Sequence, residues 1–370
     1  MKIGVFCGGY PPDRAGGAQY TCEHLVNGLR KKGHEVWVIT PHFGKNIDDP
    51  WVVQFRVPAP AESEALHYAA WTLCCWWFLL RNRFDMCCGH QIWGYLACLA
   101  SPRAQKWTLT VHNILVPYKE WLDHFPHRAH YEIFKWAARK AGKVIAISRH
   151  LSQDILAHVP EARNKIEVVY SCVDTEVFKK AAVRKGERKV VLYLAKLKPQ
   201  KGIMEILEAY RIIRRTRPDI ELVVRGICSP AYFEWLKGTC PEATWIGKRL
   251  RRAEIIEWYS RADVYVVYAP ASSADETFCL SLVEAMACEL PAVCSDIPIY
   301  REIGQGKLFY VEPENPEKLA EKIVEVLGRP DLPEVGRRMR EIARSYSVEN
   351  NVQGYERVFG QLALKGGKGT

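Results

Sequence analysis

Four charged side chains, one histidine and a glycine pair carry the chemistry for which this sequence can be read. In ETFCLSLVEAMACELPAVCSD, residues 276–296, Glu276 lies in a polar approach and Glu284 inside an apolar run, between Val283 and Ala285. A carboxylate taken out of water is costly unless something pairs with it. Glu284 therefore marks either a helix face that meets solvent or a place for a ligand bearing hydroxyl groups. In AKLKPQKG, residues 195–202, Lys196 and Lys201 flank a turn containing Pro199, beyond a strand and ahead of a helix. Two cations with free backbone N–H groups at a strand end suit a diphosphate. An ordinary basic turn would have the same composition. His112 closes the strand-like KWTLTVH (106–112) and is either a ligand contact or a satisfied loop histidine. Gly16 and Gly17 precede a helix and could let a phosphate or sugar approach backbone N–H groups.

These residues need a scaffold that gathers loop ends. KIGVFC (2–7) reads as a strand ending in Gly8-Gly9, and a helix then carries Leu25, Val26 and Leu29 on one face and stops near Gly33. EVWVIT (35–40) is a second strand, which makes a βαβ start. The first turn lacks GxGxxG, so the dinucleotide fingerprint is absent. WVVQFRV (51–57), FDMCCG (84–89), KWTLTVH, KVIAIS (143–148) and KIEVVY (165–170) read as further strands, and 119–141 reads as helical. Its histidines 124, 127 and 130 drift around the helix and read as a solvated face rather than a metal site. At 172–188 the strand pattern lapses and charge rises, as in a linker. A second alternating unit then begins with KVVLYLAKL (189–197), the helix 201–216, IELVVRG (220–226) and a helix near 231–237. It continues with TWIG (244–247), the helix 252–260, ADVYVVYA (262–269), the helix 279–288, PAVCSD (291–296) and LFYV (308–311).

The expected fold is therefore α/β, with an N-terminal domain over 1–171, a linker over 172–188, a C-terminal domain over 189–346, and a helix and tail over 347–370. The last helix is free to pack back on the N-terminal domain. In such folds ligands bind at the carboxyl ends of the strands, here in a cleft between the two halves. Because Glu276 precedes the helix that holds Glu284, both carboxylates can point into one cleft.

The totals narrow the partners. The 370 residues include 52 Lys and Arg against 42 Asp and Glu, a net charge of +10, which favours anionic partners such as nucleotides or anionic lipid. The surplus is diffuse, with no basic arm and no zinc-finger spacing, so nucleic acid is not expected as a partner. The 13 cysteines sit in apolar settings without a CxxC pair and read as reduced, buried thiols of a cytoplasmic protein. Residues 65–80, ALHYAAWTLCCWWFLL, are almost wholly apolar but too short for a comfortable membrane span. They suit a buried or interdomain helix, or a helix lying on a membrane surface.

In order and type these segments resemble the retaining, nucleotide-sugar-dependent glycosyltransferases of the large family four, also described as glycosyl transferases group one. The resemblance spans nearly the whole chain. It rests on Glu276, Phe278 and Glu284 followed by AMACELPAVCSD, on Ala195-Lys196-Leu197 with Lys201-Gly202, on Gly16-Gly17, on His112, and on YSCVDTEVF at 170–178. Where the family has glycines after the phenylalanine and before LP, this chain has Cys279 and Glu289; where it has Asn-Gly, this chain has Ser171-Cys172. Lys196 replaces arginine, which keeps the charge but gives up the bidentate fork.

The resemblance implies a GT-B fold, two Rossmann-like domains facing across a cleft, and transfer of a sugar from a nucleotide-diphosphate sugar to a hydroxyl acceptor with retention. It implies that Lys196 and Lys201 neutralise the departing diphosphate and that the amides near Phe278, Cys279 and Leu280 meet phosphate. It further implies that Glu284 accepts from ribose hydroxyls, that Glu276 holds the transferred sugar, and that His112 lines the sugar site. Gly16 and Gly17 let the first loop close over the diphosphate. No cofactor and no metal are required. The acceptor classes left open are a lipid-linked or cell-envelope glycan and a soluble sugar or polyol. A non-catalytic nucleotide-sugar-binding protein is the alternative from another class. The location expected is cytoplasmic, with peripheral contact to the inner face of the membrane through residues 65–80.

Overall fold

The computed structural model describes residues 1–14, 16–57, 64–113, 125–271 and 276–366. The chain divides into two compact units, Met1–Cys172 with Val348–Thr370, and Val173–Ser347.

The first unit runs β1 (Lys2–Phe6), α1 (Gly17–Lys31), β2 (Glu35–Pro41), β3 (Val52–Phe55), α2 (Glu64–Arg81), β4 (Met86–His90) and α3 (Gln91–Ala100). It continues with β5 (Trp107–Val111), α4 (Phe125–Lys140), β6 (Lys143–Ala146), α5 (Arg149–His158) and β7 (Ile166–Val168). Its seven-stranded sheet has the order β3-β2-β1-β4-β5-β6-β7, and every pairing is parallel. The central strands β4 and β5 are buried at every position, as expected of strands covered by helices on both faces.

The second unit runs β8 (Lys189–Leu194), α6 (Ile203–Thr216), β9 (Ile220–Arg225), α7 (Pro230–Thr239), β10 (Thr244–Ile246), α8 (Arg252–Arg261) and β11 (Val264–Val267). There follow α9 (Leu280–Ala287), β12 (Ala292–Ser295), α10 (Pro298–Ile303), β13 (Phe309–Val311), α11 (Pro316–Leu327) and α12 (Leu332–Arg344). Its six parallel strands lie in the order β10-β9-β8-β11-β12-β13. Both orders reverse direction beside the first strand of the unit, which is the doubly wound pattern.

The last helix, α13 (Val348–Gly366), rejoins the first unit. Val352, Tyr355, Val358, Phe359 and Leu362 share a core with Leu25, Val26 and Leu29 of α1. Close approach is possible because position 28 is glycine; a Cβ there would fall 2.4 Å from Val352 Cγ2. The Tyr355 hydroxyl lies 2.6 Å from Thr110 Oγ1, which ties α13 to β5.

The sequence reading left α3, α5, α10, α11 and α12 without assignment. For α12 the signal was present, since Val335, Met339 and Ala343 are buried at helical spacing. His124 lies outside the described residues, as does the side chain of His127. His130 does not sit on a solvated face: it is half-buried, with Nε2 3.0 Å from the Tyr68 hydroxyl of α2.

The apolar run in α2 is neither wholly buried nor wholly exposed. His67, Trp71, Cys75 and Phe78 are buried, at spacings of four, four and three that define one helix face. Trp71 donates from Nε1 to the Trp93 carbonyl at 2.8 Å and packs edge-on against Phe55. On the other face Leu73, Trp76, Trp77 and Leu80 are 65, 49, 49 and 54% exposed. Among the described residues no helix is long and apolar enough to cross a membrane.

Candidate functional site

In the second unit the loops after β8 and β11 leave the sheet at its switch point, because these strands pair with each other and continue to opposite sides. The first loop carries Lys196 and Lys201. Pro199–Lys201 form a 3-10 turn, so α6 begins at Ile203, two residues later than the sequence pattern suggested. Gly202 adopts φ +63°, where a side chain is disfavoured, and a Cβ would fall 2.7 Å from the Tyr268 carbonyl. The Tyr193 hydroxyl is shared between the carbonyls of Lys196 and Lys201, at 3.3 and 3.1 Å. One buried phenol thus fixes both ends of the basic turn.

The second loop brings Glu276 to this turn. Its side chain is 4% exposed and forms an ion pair with the Lys201 ammonium; the Tyr300 hydroxyl donates to the same carboxylate at 3.3 Å. The pair compensates the burial of each charge. The Lys196 side chain is exposed and makes no ion pair among the described residues.

Phe278 is buried and meets Tyr346 edge-on at 5.5 Å. Cys279 is the N-terminal cap residue of α9, and Leu280 begins the helix. The first amides of a helix have no intrahelical acceptor and favour anions. Glu284, one turn further, is half-buried between Val283 and Ala285. Tyr259 of α8 donates to its Oε2 at 3.1 Å and also lies 3.1 Å from the Ser281 carbonyl. Burial raises the Glu284 carboxyl to about 7, against the opposing effects of the Tyr259 hydrogen bond and the Arg252 charge. A carboxylate has room for about four hydrogen bonds, so hydroxyl donors from a ligand would stabilise its ionised form.

Two features here escaped the sequence reading. Tyr193, Tyr259, Tyr265 and Tyr300 are all fully buried and support the site from below; Tyr265 donates to the Leu194 carbonyl at 3.0 Å and lies 2.9 Å from Ser281 Oγ. Their spacing in strands and helices reads only as core. Arg225 ends β9 beside the end of β8. It is buried, its Nε lacks a hydrogen-bond partner, and no carboxylate pairs with it among the described residues. Desolvation lowers its pKa, and the Tyr259 phenol is among the groups that act on it. A buried, unpaired guanidinium is an expensive feature unless a ligand completes it.

In the first unit the corresponding switch point lies between β1 and β4. Gly16 caps α1 in extended backbone at φ −165°, and Gly17 opens the helix. His112 follows β5, and its Nε2 lies 3.0 Å from Nδ1 of His90 at the end of β4. The two rings stack at 5.3 Å between centroids. Burial lowers His112 to about 4, and burial together with His112 holds His90 well below its usual value. Both are therefore neutral near pH 7, so one ring donates and the other accepts. Sequence reasoning missed His90, because its link to His112 exists only through the pairing of β4 with β5. Among the described residues, no group of three or more His, Cys, Asp or Glu side chains is placed to hold a metal ion.

Comparison with known proteins bears on this arrangement. The backbone superposes on sucrose-phosphate synthase from Thermosynechococcus elongatus with a TM-score of 0.78, at 17% identity, over 99% of this chain and 100% of that one. It also matches an Anabaena protein solved in complex with UDP-glucose, with a TM-score of 0.74 at 17% identity, over 98% of this chain and 100% of that one. Residues 15–177 match Glycosyltransferase Family 4, and residues 174–346 match Glycosyl transferases group 1. The chain belongs to the nucleotide-sugar-dependent glycosyltransferases of the GT-B fold. This glycosyltransferase moves a sugar from a nucleotide-diphosphate donor to an acceptor, and its two units are the Rossmann-like domains of that fold. It is 24% identical to an uncharacterised glycosyltransferase of Methanocaldococcus jannaschii, over 95% of each chain. It is 23% identical to an O-antigen chain mannosyltransferase of Salmonella typhimurium, over 79% of this chain and 80% of that one.

Proposed function

We propose that this glycosyltransferase retains the anomeric configuration of its donor and delivers the sugar to a hydroxyl of a lipid-linked or cell-envelope glycan. The observation that carries the donor half is the ion pair of half-buried Lys201 with buried Glu276 at the β8/β11 switch point, with Glu284 on the adjoining helix. Lys201, Lys196 and the amides of Phe278, Cys279 and Leu280 receive the diphosphate; Arg225 adds a third cation to the nucleotide side. Glu284 accepts from the ribose hydroxyls, and Glu276 holds the hydroxyls of the transferred sugar. His112, oriented by His90, contacts that sugar, and Gly16 and Gly17 give the diphosphate and acceptor access to backbone amides.

In the reaction the bond between the anomeric carbon and the phosphate oxygen breaks, and its electron pair stays on the diphosphate. The acceptor oxygen bonds to the anomeric carbon on the same face. Its proton passes to a phosphate oxygen of the leaving group. Charge grows on the diphosphate, so Lys201 acts mainly on the transition state.

The acceptor assignment is supported by the exposed apolar face of α2 in the first unit and by the similarity to an O-antigen chain mannosyltransferase. The many buried cysteines suit work in a reducing compartment, at the cytoplasmic face of a membrane. A screen of UDP-, GDP- and ADP-sugars against lipid, glycan and polyol acceptors, with product anomers assigned by NMR, tests these statements. Net inversion removes the mechanism, and a water-soluble polyol as the best acceptor removes the acceptor class.

A further inference from the structure

A second cluster of cations lies at the opposite end of the first unit's sheet from His90 and His112. Arg83 precedes β4, and Arg103 and Lys106 precede β5. These strands hold the two histidines at or just beyond their carboxyl ends, so the clusters are a strand length apart, about 15 Å. The three cations line a cavity of about 200 Å³ together with Leu79, Leu80, Phe84 and Trp107. None of the three makes an ion pair among the described residues. The Ser101 hydroxyl, which also lines the cavity, accepts from the Arg103 amide at 3.2 Å. Unneutralised cations around an apolar floor call for an anion attached to something apolar.

The cavity is continuous with the exposed face of α2. Leu80 belongs to both, and Leu73, Trp76 and Trp77 lead away from it along the helix. Arg81 lies 4.0 Å over the Trp77 ring, which places one further cation beside the aromatic edge. A free phosphate or a nucleotide would use the cations and leave these apolar side chains in water. An amphiphile uses both, with the phosphate in the cavity and aromatic and leucine side chains in the headgroup region.

We propose that the cavity between α2 and the amino ends of β4 and β5 binds the headgroup of an anionic phospholipid and orients the α2 face on the membrane. This rests on the membrane-surface reading of α2 given above and adds to it a specific headgroup site. The test is flotation of the whole chain with phosphatidylcholine vesicles, with and without phosphatidylglycerol, at low salt. Wild type should float with the phosphatidylglycerol vesicles. Each surface cation contributes about fivefold to partitioning, so a triple Arg83→Gln, Arg103→Gln, Lys106→Gln variant should lose about 10²-fold. Trp76→Ser with Trp77→Ser should also lose flotation with the phosphatidylglycerol vesicles. Circular dichroism melts and release of nucleotide from a donor establish that the variants are folded.

A triple variant that floats as well as wild type overturns the headgroup site and leaves the membrane reading standing. Wild type that floats with neither vesicle overturns both. Binding of glycerol phosphate or inorganic phosphate in solution without flotation assigns the cavity to a small soluble anion and overturns the lipid proposal.

Discussion

Glu284 offers the sharpest test of the donor site, because its carboxyl is held at about 7 in the ligand-free protein. If ribose hydroxyls donate to it, bound donor favours the ionised form and should return the group toward its ordinary 4.5. The group is raised by burial, so it is mostly protonated below pH 7, and binding there must first release a proton. Linkage then sets the magnitude: between pH 8 and pH 6 the donor dissociation constant should rise about tenfold, with close to one proton released per binding event at pH 6. Isothermal titration with an intact nucleotide sugar, in two buffers of different ionisation enthalpy, reads both quantities. The intact donor is the right probe because its diphosphate carries no group that titrates in this window. Glu284→Gln should flatten the dependence and weaken binding at pH 8 by about 1.5–3 kcal/mol, the value of a hydrogen bond to a charged group. Wild-type affinity that is flat between pH 6 and pH 8, or a slope that persists in the glutamine variant, would refute the reasoning.

Removing the Lys201 ammonium should lower turnover by about 10² or more, and wild type should keep its rate in EDTA; loss in EDTA with recovery on adding magnesium would overturn a neutralisation carried by the protein's own cations and amides. Arg225→Gln should weaken donor binding while leaving the melting temperature unchanged or higher, since it removes a buried charge that no carboxylate pairs among the described residues; a fall in stability with unaltered donor affinity would make the arginine structural. His90→Phe should lower kcat about tenfold with little change in donor affinity, as expected when one hydrogen bond orienting His112 is lost, and His90→Asn should recover part of it; unchanged kcat in the phenylalanine variant counts against the pairing.

The α/β alternation was legible because a parallel strand covered on both faces is a short apolar run, and KIGVF, WTLTV and VYVV could be little else. The local chemistry was legible for the same kind of reason. Lys196 and Lys201 lie in one short turn, and Glu276 and Glu284 flank one helix start, so each pair is fixed by few residues of chain. Contacts made across the sheet were not legible. Nothing in FDMCCGH and KWTLTVH announces that His90 and His112 touch, since 22 residues separate them and only the register of β4 on β5 brings the rings together. The same holds for Lys201 and Glu276, 75 residues apart, and for Tyr259 and Glu284. The α2 segment shows the limit most directly. Its composition admitted burial on all sides or contact with a membrane, and only packing against Phe55, Phe84 and Trp93 decides which apolar side chains go inside. Hydrophobicity states that a side chain gains by leaving water, but which side chains find the room to do so depends on the volume between neighbouring elements, and that volume exists only once the fold has formed.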